Sequence, residues 1–152
     1  MSEKDLKIAL YQFCQVFVDE RSSRIQSQIK ELQTALDSET KSSAGDKHET
    51  GRAMLQLERE KLGLQLAEVQ DLSRVMQKID ISSKKTAAAL GSLVKTTKAN
   101  YFLAISAGEF KSGDVPNYCI SLNTPIGIML LGKNMGDTIG FNENVLKIIA
   151  IE

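Results

Sequence analysis

Leu55, Leu62, Val69 and Met76 stand seven residues apart, and Leu66, Leu72 and Ile79 fall on the same stripe. An apolar repeat of seven kept over this length restricts the segment to an α-helix that buries one narrow face. The matching face lies upstream. Ile25, Ile29, Leu32 and Leu36 alternate steps of four and three, with Gln, Lys, Glu and Ser on the remaining positions. A short polar stretch, Ser42 to Gly51, separates the two stripes. The reading is an antiparallel coiled-coil hairpin in which each arm covers the other. At about 1.5 Å per residue, a returning arm of roughly thirty residues extends about 45 Å.

The first arm begins early. Leu6, Ala9, Leu10, Phe13, Cys14 and Phe17 recur at three- and four-residue steps, which predicts a helix over 5–20. Arg21-Ser22-Ser23-Arg24 contains neither Gly nor Pro, so the helix can run straight through it. After Asp80 the pattern changes, with Ser82-Ser83-Lys84-Lys85 read as a linker. Strands are predicted at 93–96, 100–106, 118–122, 138–141 and 145–151, with a loop from Gly108 to Asn117. One short helix sits among them, with Thr124 as N-cap, Pro125 at its first position and Gly132 beyond its end. The expected class is α+β: a hairpin over 1–80 with an acidic tip near 45–50, then a small β-rich domain over 81–152.

Composition narrows the function. The formal net charge is zero, which argues against strong nonspecific binding to nucleic acid or anionic membrane. No run approaches the roughly 20 apolar residues of a membrane span. Met1-Ser2-Glu3-Lys4-Asp5 is charged and no apolar run follows it, so the cytosol is the expected compartment. Cys14 and Cys119 lie in apolar runs far apart without metal-ligand spacing, and read as two buried reduced thiols.

Chemistry concentrates at the turn. Asp46 and Glu49 stand three residues apart where the second helix begins, a spacing that puts both carboxylates on one face, about 5–6 Å apart at Cβ. Such a pair can share a hard divalent cation such as Mg²⁺, with the remaining ligands supplied by a partner or substrate. Asp followed three residues later by Glu is also a capping box, and both charges suit a helix N-terminus. His48, the sole histidine, is a solvated turn residue or a proton shuttle. Lys47, Arg52 and Arg59 are helix-surface charges or phosphate contacts.

These residues resemble the bacterial Gre-type transcript cleavage factors. Gly45-Asp46-Lys47-His48-Glu49 is similar to the family's Gly-Asp-Leu-x-Glu turn. The run from Ser121 to Ile139, with Leu130-Leu131-Gly132-Lys133-Asn134-Met135-Gly136-Asp137 at its centre, is similar to the Ser-Pro…Leu-Leu-Gly-Lys-x-x-Gly-Asp-x-Val signature. The order of hairpin and β domain covers nearly the whole chain. The resemblance implies an FKBP-like C-terminal domain docked at the rim of RNA polymerase's secondary channel, with the coiled coil inserted along it. It implies that Asp46 and Glu49 help hold a Mg²⁺ shared with the polymerase active site, which cleaves the 3′ end of a backtracked RNA. No tightly bound cofactor is implied. Thr124, Pro125, Gly132, Lys133, Gly136 and Asp137 would belong to the docking domain. The chain departs from the family after the acidic pair, reading Thr50-Gly51-Arg52-Ala53-Met54 where Asn-Ala-Glu-Tyr-His is usual, and it lacks the early Arg-Pro. The alternative is therefore a non-cleaving occupant of the channel.

A rival reading is a coiled-coil interaction module. It would need a second exposed apolar stripe, and after Leu36 the first arm has none, so a monomer is expected. A prolyl isomerase would want an aromatic-lined pocket, for which this domain carries few aromatics and no Trp. A cysteine-based acyl-condensing enzyme would need Cys119 next to a His or Asn partner, and His48 lies far off in sequence. The chain is expected to be an accessory factor rather than an enzyme.

Overall fold

A computed structural model describes residues 2–41 and 46–152, without the side chains of residues 40, 41 and 46–49. The described residues form an α+β fold, a helical hairpin followed by a β-rich sheet domain. The chain divides into two compact units, Val18–Ser73 and the pair of segments Met1–Phe17 and Arg74–Glu152.

Helix α1 runs unbroken over Glu3–Lys41, as the absence of Gly or Pro at 21–24 allows. Helix α2 covers Asp46–Gln77. Within the Val18–Ser73 unit, Ile25, Leu36, Leu62 and Val69 of the expected seam are buried, and Val18, outside the predicted stripe, is buried with them. Two contacts close the arms near the turn. The Arg52 guanidinium donates to the Leu36 carbonyl at 3.4 Å, and a Cβ added at Gly51 would lie 3.6 Å from the Glu39 carboxylate. The predicted turn is shorter than its polar residues suggest, because Asp46 to Gly51 are already helical. Ser42 to Gly45 lie outside the described residues.

In the other unit, strands β1 (Leu93–Thr96), β2 (Asn100–Ala104), β3 (Gly108–Phe110), β4 (Asn117–Ser121), β5 (Thr138–Phe141) and β6 (Asn144–Ile151) form a sheet. Their order is β3-β4-β2-β1-β6-β5. Only the β2–β4 pairing is parallel among those described. The stretch read as a loop from Gly108 contains β3, a three-residue edge strand whose Gly and Glu have low strand propensity. Helix α3 (Pro125–Leu130) bridges β4 to β5.

Side chains alternate across each strand, and both faces of the sheet are used. Val94, Tyr101, Leu103, Leu146 and Ile148 form one core with Ile126 and Leu130 of α3. Leu93, Phe102 and Cys119 are also buried but point the other way, where Cys119 meets Cys14 of α1 and Phe110 meets Phe13, ring centroids 5.4 Å apart. Full burial of side chains such as Phe102 or Ile148 contributes roughly 1.5–3 kcal/mol each. Polar pins fix the strand ends. The buried Asn117 side chain accepts from Asn100 and donates to the Phe110 and Ser112 carbonyls. The Thr96 hydroxyl donates to the Ala99 carbonyl and accepts from the Ala99 N–H.

Lys7 is 5% exposed. Its ammonium donates to the Ser83 carbonyl at 3.2 Å and the Glu152 carbonyl at 3.0 Å, which ties α1 to the linker and to the end of β6. Burial holds its pKa below the usual lysine value, with partial compensation from the Glu152 and Asp80 charges. Lys7→Met keeps the stem but strands both carbonyls, and is expected to cost about 1–3 kcal/mol in urea unfolding at neutral pH. Between the lowered folded value and the ordinary 10.5, the unfolded chain holds a proton that the folded chain has released. Stability from this residue therefore rises with pH across that window. The wild-type advantage over Lys7→Met should be constant below it and widen towards pH 10; a gap that narrows would contradict this account.

Candidate functional site

Asp46 and Glu49 fall in the first turn of α2, where unpaired N–H groups and the helix dipole favour negative charge. Their backbone positions, three apart in one helix, are those expected. Their side chains, with those of Lys47 and His48, lie outside the described residues, as does the side-chain geometry of the capping box. The departures from the family pattern just downstream acquire a physical role. Gly51 faces the Glu39 carboxylate at a distance that would also accept a Cβ, and Arg52 satisfies a carbonyl of the facing arm. Arg52 is thereby engaged within the hairpin rather than held out for a phosphate. Glu39, an acid on the first arm next to the turn, was not singled out from sequence, because only the hairpin brings it against Gly51.

The C-terminal motif residues form a framework. The Thr124 hydroxyl accepts from the Gly127 N–H at 3.1 Å and donates to the Ser121 carbonyl at 2.7 Å, so the predicted N-cap and Pro125 stand as read. Gly132 adopts φ 81 and Gly136 φ 93, left-handed values that glycine takes without strain. The Gly132 N–H donates to Ala88, the Lys133 carbonyl accepts from the Ala88 N–H, and the Gly136 N–H donates to Ile148. The Asp137 carboxylate accepts from the Asn134 N–H at 2.7 Å. Thr124 and Asp137 therefore spend their side chains inside the domain, while Lys133 is exposed. The segment also offers apolar side chains to solvent: Ile128, Leu131 and Met135 are 63%, 48% and 69% exposed. The sequence hides this, because Leu131 beside the fully buried Leu130 looks like core.

Two further features differ from expectation. Met54, Leu57 and Leu64 on α2 are each at least 65% exposed, a second apolar strip, on the returning arm rather than the first. The β domain also gathers aromatics after all. Tyr101, Tyr118 and Phe141, with Ser106, Ile120 and Ile126, line a cavity of about 540 Å³, and the two tyrosine rings stack at 5.9 Å. Burial pushes the Tyr101 hydroxyl pKa up, helped by Tyr118. Cys119 also borders this cavity. Among the described residues, no group of three or more His, Cys, Asp or Glu could hold a metal, and no helix is long and apolar enough to cross a membrane.

No family model matches the chain, and no curated protein does. Among solved structures, one described as the structure of the transcription factor Gfh1 aligns over 88% of this chain and 90% of its own, at 19% identity and a TM-score of 0.34. A likeness at that level carries no functional argument.

The framework role of the motif is open to direct test. A Cβ at Gly127 would be driven into the Ser121 carbonyl and the Thr124 hydroxyl. Gly127→Ala is expected to destabilise by about 1–3 kcal/mol, more than Thr124→Ala, which removes a cap worth about 1 kcal/mol. Urea unfolding of both variants checks the order, and a neutral Gly127→Ala would refute the close packing of α3 on the β4 end.

Proposed function

We propose that this chain is a Gre-type transcription factor that binds RNA polymerase, passes its helical hairpin into the secondary channel and promotes cleavage of backtracked RNA. The observation that carries the reading is the placement of Asp46 and Glu49 in the first turn of α2, at the turn of the helical hairpin. The similarity of the tip and of the 121–139 run to the family's signatures supports it.

In this reading Asp46 and Glu49 would hold a Mg²⁺ shared with the polymerase, and the spacing of their backbone positions fits a pair of oxygen donors on one face. Bound there, a second metal supplies stabilisation of the attacking and leaving oxygens of the displaced phosphodiester. The protein's part is to deliver two carboxylates, which are too few to retain the metal without the polymerase. The β domain docks at the channel rim through the 124–137 segment, with Ile128, Leu131 and Met135 as the apolar contacts and Lys133 among them. The factor is cytoplasmic and acts as a monomer on the polymerase and, indirectly, on the RNA 3′ end.

The test is transcript cleavage by a stalled, backtracked complex. Wild type should stimulate cleavage, and Asp46→Ala and Glu49→Ala should each lose at least tenfold while binding normally. Binding without stimulation by the wild type would leave a non-cleaving channel occupant. Docking is tested separately. Leu131→Asp with Met135→Asp should weaken polymerase binding at least tenfold with an unchanged unfolding midpoint, and unchanged binding would remove this surface from the interface.

The exposed strip of Met54, Leu57 and Leu64 favours one second reading, a coiled-coil interaction module. Sedimentation of the isolated protein decides between them. A stable dimer lost in Leu57→Lys with Leu64→Lys would favour the module.

A further inference from the structure

Cys14 and Cys119 are separated by most of the chain, yet the fold brings them together. Leu10 and Cys14 lie one helical turn apart on α1 and are fully buried. The neighbouring Phe13 sets its ring edge against Phe110 of β3. Strand β3 pairs with β4 so that Gly108 faces Cys119 and Phe110 faces Asn117. On the other side Cys119 stands in register with Phe102 of β2. The α1 contact with β3 thus carries Cys14 onto Cys119, and the two side chains are hydrogen-bonded to each other. Both thiols are free.

We propose that Cys14 and Cys119 are a dithiol–disulfide pair, closed by a peroxide or a small disulfide, that locks the start of α1 to β4. The inference is independent of the reading as a polymerase factor. The hydrogen bond from Cys119, aided by the Ile105 backbone, lowers the Cys14 thiol pKa, whereas the same bond and burial raise that of Cys119. One proton therefore leaves the pair more readily than two, and the thiolate is the nucleophile of the step. With hydrogen peroxide, one thiolate attacks an oxygen, the O–O bond breaks, and a sulfenic acid and hydroxide form. The second thiol attacks the sulfenic sulfur, the S–S bond forms, the S–O bond breaks and water leaves. Two thiols and one peroxide become one disulfide and two waters, whichever sulfur reacts first.

The experiment treats the native wild-type chain with equimolar hydrogen peroxide and follows thiol content, intact mass and unfolding. The expected result is a loss of both thiols with the mass falling by two hydrogens, a monomer on a non-reducing gel, and a urea midpoint raised until a reductant restores it. Cys14→Ser and Cys119→Ser should each keep the remaining thiol out of any intramolecular bond. Thiols that react only in denaturant, intermolecular dimers, or stepwise oxygen addition without an S–S bond would each overturn the proposal. Because the wild type carries the result, a variant that folds poorly does not weaken the test.

Discussion

The hairpin depends on mutual burial of two stripes, each too narrow to be a core by itself. Ile25 and Leu36 on α1 and Leu62 and Val69 on α2 are almost fully buried, although a lone helix would leave them wet. Helix propensity is a weak source of stability, and Gly51 and Gly63 inside α2 reduce it further. The seam therefore sets the arms' register. Local contacts follow from it: Arg52 reaches the Leu36 carbonyl and Glu39 lies against Gly51 only because the seam has aligned the arms. This also leaves the outer faces free of structural duty, which makes the exposed Met54, Leu57 and Leu64 a feature that the fold itself does not require.

The sheet unit rests on a related economy. A sheet of short strands has two apolar faces, and α3 covers one while the start of α1 approaches the other. Lys7, Phe13 and Cys14 all lie within the first turns of α1, and each makes its contact with a segment distant in sequence. A charged ammonium is an expensive group to bury. Here two carbonyls receive it, and the result joins the linker and the last strand to the same helix.

What could be read from sequence was what local chemistry controls. The seven-residue repeat, the Thr124-Pro125 start of α3, the β1 and β5 limits and the left-handed glycines after α3 all depend on residues within a turn or two of one another. The failures were nonlocal or atypical. Strand β3 is three residues long and begins at a glycine with φ 97, so pairing with β4 rather than propensity makes it a strand. The aromatic cavity draws on β2, β4, α3 and β5, whose rings meet only in the fold. The meeting of Cys14 and Cys119 needs the whole topology. Near the turn, the polar residues Asp46 to Gly51, a glycine among them, read as turn, yet they are helical.

The 121–139 run shows why a motif similarity and a site are different statements. Gly127, Gly132 and Gly136 answer steric or left-handed backbone demands, and Thr124 and Asp137 satisfy backbone N–H groups. All five serve the fold of this corner, whatever it binds. The surface left over, Ile128, Leu131, Lys133 and Met135, is where binding can differ without loss of fold. The acidic pair poses the same question in sharper form. A cap occupies one lone pair of a carboxylate and contributes about 1 kcal/mol, whereas a carboxylate has roughly four acceptor sites. Capping therefore does not exhaust Asp46 or Glu49. The positive helix end opposes a cation there, so a shared Mg²⁺ would have to be held mainly by further oxygen ligands from a partner.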